Sequence, residues 1–74
     1  MRVEVLENTL RVERARHKLT QEELAQLVGV TRKTINTVEN GRFIPSTTLA
    51  LRLARALNAS VESLFYLAPA RSKR

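Results

Sequence analysis

Residues 20–41 read TQEELAQLVGVTRKTINTVENG, and the rest of the 74-residue chain is organised around them. Thr20 followed three residues later by Glu23 is a capping box, so a helix is predicted to begin at Gln21. Leu24, Ala25, Leu27 and Val28 give that helix an apolar stripe. Gly29 supplies the left-handed residue that ends it, and Val30 turns back towards the core. Thr31 caps a second helix from Arg32 to about Asn40, which Gly41 ends. Two short helices joined by a tight glycine-containing turn are the result.

The second helix separates its residues by chemistry. At about 100° per residue, Arg32, Lys33, Asn36, Thr37 and Asn40 fall within an arc of roughly 140°. Ile35, Val38 and Thr34 lie opposite, with Glu39 at the edge. The polar arc carries two cations, two carboxamides and a hydroxyl, and no carboxylate. Such side chains suit base edges and phosphates in a major groove: Arg and Lys for guanine, Asn for adenine, a Thr methyl for thymine. Double-stranded DNA is therefore the expected partner.

Composition agrees with that partner. Hydrophobic residues make up 43% and charged residues 27%, as in an ordinary globular protein with one small domain. The absence of cysteine excludes a disulfide framework, and His17 as sole histidine leaves no transition-metal set, so neither a metal nor a cofactor is expected. No apolar run is long enough to span a membrane and no signal peptide is apparent, so no membrane partner and a cytoplasmic, nucleoid-associated location are expected. The net charge is +6 and implies a polyanionic partner. Its distribution matters more than its sum: from Leu24 to Val61 the only acid is Glu39, against Arg32, Lys33, Arg42, Arg52 and Arg55. The blander alternative is a surplus of solvated cations without function, which does not account for their gathering on the outward helix.

The flanks read as support. Residues 1–7 form a separate N-terminal segment that fits a short strand, a frayed start or an early helix; the main domain is predicted over 8–66, with a flexible basic tail at 67–74. Asn8 is a suitable cap for a helix running to about His17, which should face water. Leu6, Leu10 and Arg14 share a face there, and Arg14 turned inward needs a partner. Glu39 is the natural one, giving a partly buried ion pair. After Gly41, Pro45 breaks the helix, Phe43 is expected to pack over the motif, and Arg42 lies where a phosphate would pass. Ser46 or Thr47 caps a fourth helix to about Leu57, buried through Leu49, Leu53, Ala56 and Leu57 with Arg52 and Arg55 outside. Ser60 caps a short fifth helix whose apolar end, Leu64, Phe65, Tyr66 and Leu67, is either a dimer surface or plain core. Arg71, Lys73 and Arg74 in the tail would add nonspecific attraction to phosphate.

Two stretches, LTQEELAQLVGVTRKTINTVENGRFIPS and LALRLARALNASVESLF, carry a resemblance to the lambda-repressor-like, Cro/Xre-type helix-turn-helix family over roughly residues 8–65. The resemblance implies an all-α, compact five-helix DNA-binding domain with the motif at helices 2 and 3. By it, Arg32, Lys33 and Thr37 take base-reading positions flanked by Thr31 and Asn36, while Gln21, Asn40 and Arg42 match phosphate-contacting positions and Gln21 also braces the reading helix. The Arg14–Glu39 pair matches a buried pair of some members. Two residues depart from the pattern. Lys18 stands where a glycine is common, implying a less tightly bent first turn. Glu13 stands where an apolar residue is common, leaving Val12 or Ala15 to pack.

The expected function is a sequence-specific transcriptional regulator, a repressor in the first instance, binding a pseudo-palindromic operator as a homodimer. An antitoxin or a restriction–modification controller protein with the same domain is the alternative. An enzyme is not expected, because no nucleotide-binding loop or nucleophile–base pair is present, and no small-molecule ligand is foreseen. The polar arc also lacks the aromatic platforms that stack on RNA bases.

Overall fold

A computed structural model describes residues 3–70. Five helices and two strands follow in the order β1 (Glu4–Asn8), α1 (Leu10–Arg16), α2 (Gln21–Val28), α3 (Arg32–Glu39), α4 (Thr47–Ala56), α5 (Val61–Leu64) and β2 (Phe65–Pro69). The two strands pair antiparallel, so the all-α expectation is corrected to a helical bundle with a two-stranded sheet. Of the three readings left open for the N-terminal segment, the strand is realised. Val5 opposes Ala68, Leu6 opposes Leu67, and Asn8 opposes Phe65. The flanks placed outside the domain at 1–7 and 67–74 are therefore partly knitted to each other, while Arg71, Lys73 and Arg74 lie outside the described residues.

Each helix starts on a side chain that accepts an otherwise orphaned backbone N–H. Thr20 accepts from Glu23 N while Glu23 returns a bond to Thr20 N, completing the capping box. Thr31 caps α3, Ser46 caps α4 and Ser60 caps α5 by the same bond to the residue three positions on. At α1 the bond comes from Asn8, whose Oδ1 accepts from Leu10 N at 3.0 Å, although the residue directly before the helix is Thr9.

The ends of α1 to α4 also share one device. Leu19 N bonds Arg14 O, Val30 N bonds Ala25 O, Arg42 N bonds Thr37 O and Ala59 N bonds Ala54 O, each closing a turn six residues long. The residue inside each turn is left-handed: Lys18, Gly29, Gly41 and Asn58. The bend at Lys18 is thus as tight as the others, contrary to the looser turn expected of a non-glycine there. Lysine holds it at φ +57°.

The core gathers one or more residues from every helix. Leu10, Leu24, Ile35, Val38, Leu53, Leu57 and Leu64 are completely or almost completely buried, with Ala25, Val28, Leu49, Ala50, Ala54 and Phe65 around them. Burial of each large aliphatic side chain is worth about 1.5–3 kcal/mol. Three expectations are corrected here. Leu27 is exposed, because α2 needs only Leu24, Ala25 and Val28 to face the bundle. Phe43 is half exposed. Neither Val12 nor Ala15 takes the place of an apolar residue at Glu13; both are exposed, and Leu6 and Leu19 pack, partly buried, against the core. Of the two readings left open for the apolar end of α5, core is the one realised for Leu64 and Phe65, both buried.

Candidate nucleic-acid interface

Capping by Thr31 fixes where α3 begins, and Ile35 and Val38 anchor its inner side in the core. Those two constraints turn Arg32, Lys33, Asn36, Thr37 and Asn40 outward. Arg32 and Lys33 at the start of the helix and Asn40 just after it are exposed; Asn36 and Thr37 between them are partly covered. The sequence-predicted arc therefore exists as one continuous polar surface. Thr37 donates its hydroxyl proton to Thr34 O at 2.9 Å, which leaves its methyl and its oxygen lone pairs available. Thr31 is exposed at the leading edge.

Behind this surface lies a single buried carboxylate. Glu39 has no exposed side-chain area, and its oxygens are surrounded by donors. Arg14 Nε donates to Oε2 at 2.6 Å and Arg14 Nη2 to Oε1 at 3.2 Å, a forked pair that ties α1 to the end of α3. Arg14 Nη1 also donates to Leu19 O at 2.8 Å, closing the α1–α2 turn. Burial alone pushes the Glu39 carboxyl up, but the hydrogen bonds from Arg14, Gln21 and Arg11 and the Arg14 charge outweigh it and hold the group below the usual carboxylate value. The hydrogen bond from Arg14 to Glu39 raises the arginine correspondingly, so both stay charged.

Gln21 connects this buried pair to the outer face. Its Nε2 donates to Glu39 Oε1 at 3.1 Å, and its Oε1 accepts from Arg32 Nη1 at 3.2 Å. The amide at the start of α2 thereby orients the first cation of α3. Asn40 is also engaged: its Nδ2 donates to Asn36 O at 2.9 Å and its Oδ1 accepts from Arg11 Nη2 at 3.0 Å. Arg42 is exposed in the turn that follows, beside Gly41, where a Cβ would meet no atom within 4 Å. The Asn40–Arg42 corner is thus open to approach by another backbone.

One residue in this region, Arg11, and one bond, from Asn8, escaped the sequence reading. Arg11 lies three positions before Arg14, on the same side of α1, and that spacing was the available signal. Asn8 donates its Nδ2 to Val38 O at 3.0 Å, which fixes the end of α3 against β1. No group of His, Cys, Asp and Glu suited to a metal occurs among the described residues.

A helix-turn-helix family profile matches residues 10–64 of this chain. An uncharacterised HTH-type transcriptional regulator of Methanocaldococcus jannaschii is 42% identical over 60 residues, covering 81% of this chain and 91% of that protein. A second uncharacterised HTH-type transcriptional regulator, from Archaeoglobus fulgidus, is 52% identical over 52 residues, 70% of this chain and 74% of its own length. Among solved structures, the restriction-modification controller protein C.AhdI of Aeromonas hydrophila superposes with a TM-score of 0.69 at 37% identity, covering 73% of this chain and 82% of that one. Motif geometry, core arrangement and these likenesses converge, and the chain belongs to the Cro/Xre-type helix-turn-helix family.

Proposed function

We propose that this chain is a sequence-specific DNA-binding transcriptional regulator, a repressor that occupies a pseudo-palindromic operator as a homodimer. The observation that carries the reading is the outward face of α3, where Arg32, Lys33, Asn36 and Thr37 stand together without a carboxylate. Arg32 and Lys33 match the acceptor edge of guanine, and Asn36 the paired donor and acceptor of adenine. Thr31 and Thr37 flank them, and Arg42 supplies a cation for phosphate beside the open Gly41 corner. Gln21 is read as a brace for Arg32 that also lies where a phosphate passes the start of α2.

One such domain spans few base pairs, so two copies with reading helices about 34 Å apart are needed for a selective site. The surface proposed for that pairing is the outer part of the sheet and its surroundings. Tyr66 and Leu67 are exposed there, and a 460 Å³ apolar groove lined by Leu6, Pro45, Leu51, Val61 and Phe65 lies alongside. A second reading, a restriction–modification controller, is favoured by one observation, the 37% identity to C.AhdI. It requires the same DNA binding and differs in which genes lie nearby.

The test is selection of duplexes from random DNA by the purified chain, with its solution mass measured in parallel. A two-fold symmetric motif with half-sites about one helical turn apart, and a dimeric mass, is the expected result. Recovery of no motif, with only weak salt-sensitive binding, overturns the specific-regulator reading.

A further inference from the structure

Between β1, α1 and the end of α3 lies a polar cleft of about 400 Å³, lined by residues that include Glu7, Arg11, Glu39, Asn40 and Gly41. Beside Glu7, it holds a cluster of two guanidiniums around one carboxylate. Two guanidiniums approach the Glu39 carboxylate, and Arg14 takes the close contacts with a forked pair at 2.6 and 3.2 Å, beside the Gln21 amide. Arg11 is left 3.5 Å away through Nε, with 62% of its side chain exposed, and forms no ion pair with Glu7 among the described residues. The Arg11–Arg14–Glu39 cluster therefore carries one net positive charge, borne by the exposed Arg11, with the Glu7 carboxylate on the same cleft.

Arg11 is also aimed. Its Nη2 donates to Asn40 Oδ1 at 3.0 Å, and Asn40 is itself fixed by its bonds to Asn36 O and Asn36 Oδ1 at 2.9 and 3.3 Å. The Asn40 carboxamide consequently has both ends occupied within the protein, and the free donors beside it belong to Arg11. Next to this pair the chain turns through Gly41, open to solvent, and the exposed Arg42 follows in sequence.

We infer that Arg11 is a phosphate-contacting residue of the DNA interface, held over the Asn40–Gly41 corner by Asn40, which acts as its positioning residue in place of touching the phosphate itself. This rests on the DNA-binding reading and extends the interface from the motif onto α1. The exposed Arg52 and Arg55 on α4 line a different pocket, with Leu27 and Ala56.

The experiment measures affinity for a duplex recovered by the selection above, between about 50 and 200 mM salt, for the unmodified chain, Arg11→Gln, Arg11→Lys, Asn40→Ala and Arg11→Gln with Asn40→Ala. Arg11→Gln is expected to weaken binding roughly three- to tenfold and to flatten the slope of log affinity against log salt by about 0.9, the signature of one lost phosphate contact. Arg11→Lys should keep most of the slope. Asn40→Ala should weaken the unmodified chain but add little once Arg11 is gone, because it acts through that residue. An unchanged slope in Arg11→Gln, or independent multiplication of the two losses, overturns the inference while leaving DNA binding intact. Failure of the unmodified chain to bind any duplex overturns the underlying reading, and the inference with it. Thermal melts of all variants separate these outcomes from misfolding.

Discussion

Lys18 holds a conformation that costs a residue with a Cβ roughly 1–2 kcal/mol, and it does so with φ at +57° and no side-chain hydrogen bond among the described residues. Replacing it by glycine relieves the strain and adds some disorder to the unfolded chain, so Lys18→Gly should raise stability by about 0.5–1 kcal/mol in urea unfolding. Glu39 makes the opposite kind of prediction. Its carboxyl is held below the usual 4.5, so its stabilising share is complete above that value and is lost as pH falls through the lower, folded-state value. Unfolding measured from neutral pH down to acid should show this loss in the unmodified chain and not in Glu39→Gln. At neutral pH that variant should be less stable by about 3–5 kcal/mol, because it leaves Arg14 turned inward without its counter-charge. The pair itself was legible from sequence, since an arginine on an apolar face demands a partner. The remaining donors to Glu39 were not, because Gln21 and Arg11 reach it only once α1, α2 and α3 are packed.

Helix boundaries were the most legible feature at the next scale. Caps and left-handed terminators act within a few residues, so Thr20, Thr31, Ser46, Ser60, Gly29 and Gly41 report on their own surroundings. Thr20→Ala should remove half of the capping box and cost about 1 kcal/mol, read by thermal or chemical unfolding. Which apolar residues face inward was less legible. Leu27 and Phe43 are as hydrophobic as their buried neighbours, but the bundle has no partner surface at their angles. On α3 the division of labour gives a prediction on DNA. Lys33→Ala should relax preference at one base position, whereas Arg42→Ala should weaken all sequences about equally; matching profiles on a panel of operator variants would show the two residues share one role.

For the molecule as a whole, the sheet is what sequence reading left open. Alternation of Val3 and Val5 with charged residues fitted several structures, and the partner strand lies some sixty positions further on. Pairing at that separation leaves no local signature, so Phe65 to Pro69 read as the trailing end of a helix. The correction also moves the proposed dimer surface outward. Leu64 and Phe65 are committed to the core, while Leu67, opposite Leu6, remains exposed. Leu67→Glu should leave the melting temperature nearly unchanged and shift the solution mass from dimer to monomer, with operator affinity falling alongside. A mass unaffected by the change would remove this surface from consideration.

The strand pair also decides how the molecule would yield under tension. Ala70 N bonds Val3 O, so both ends of the described chain leave from the same end of one antiparallel ladder. A pull applied there loads the hydrogen bonds one at a time and peels the strands apart like a zip, with no need to shear them all together. The ladder should therefore open at small force while the capped helices hold, parting Glu4 from Pro69 first and Asn8 from Phe65 last. Attached to a longer polypeptide at either end, the helical reading unit would sit behind a hinge made of its own termini.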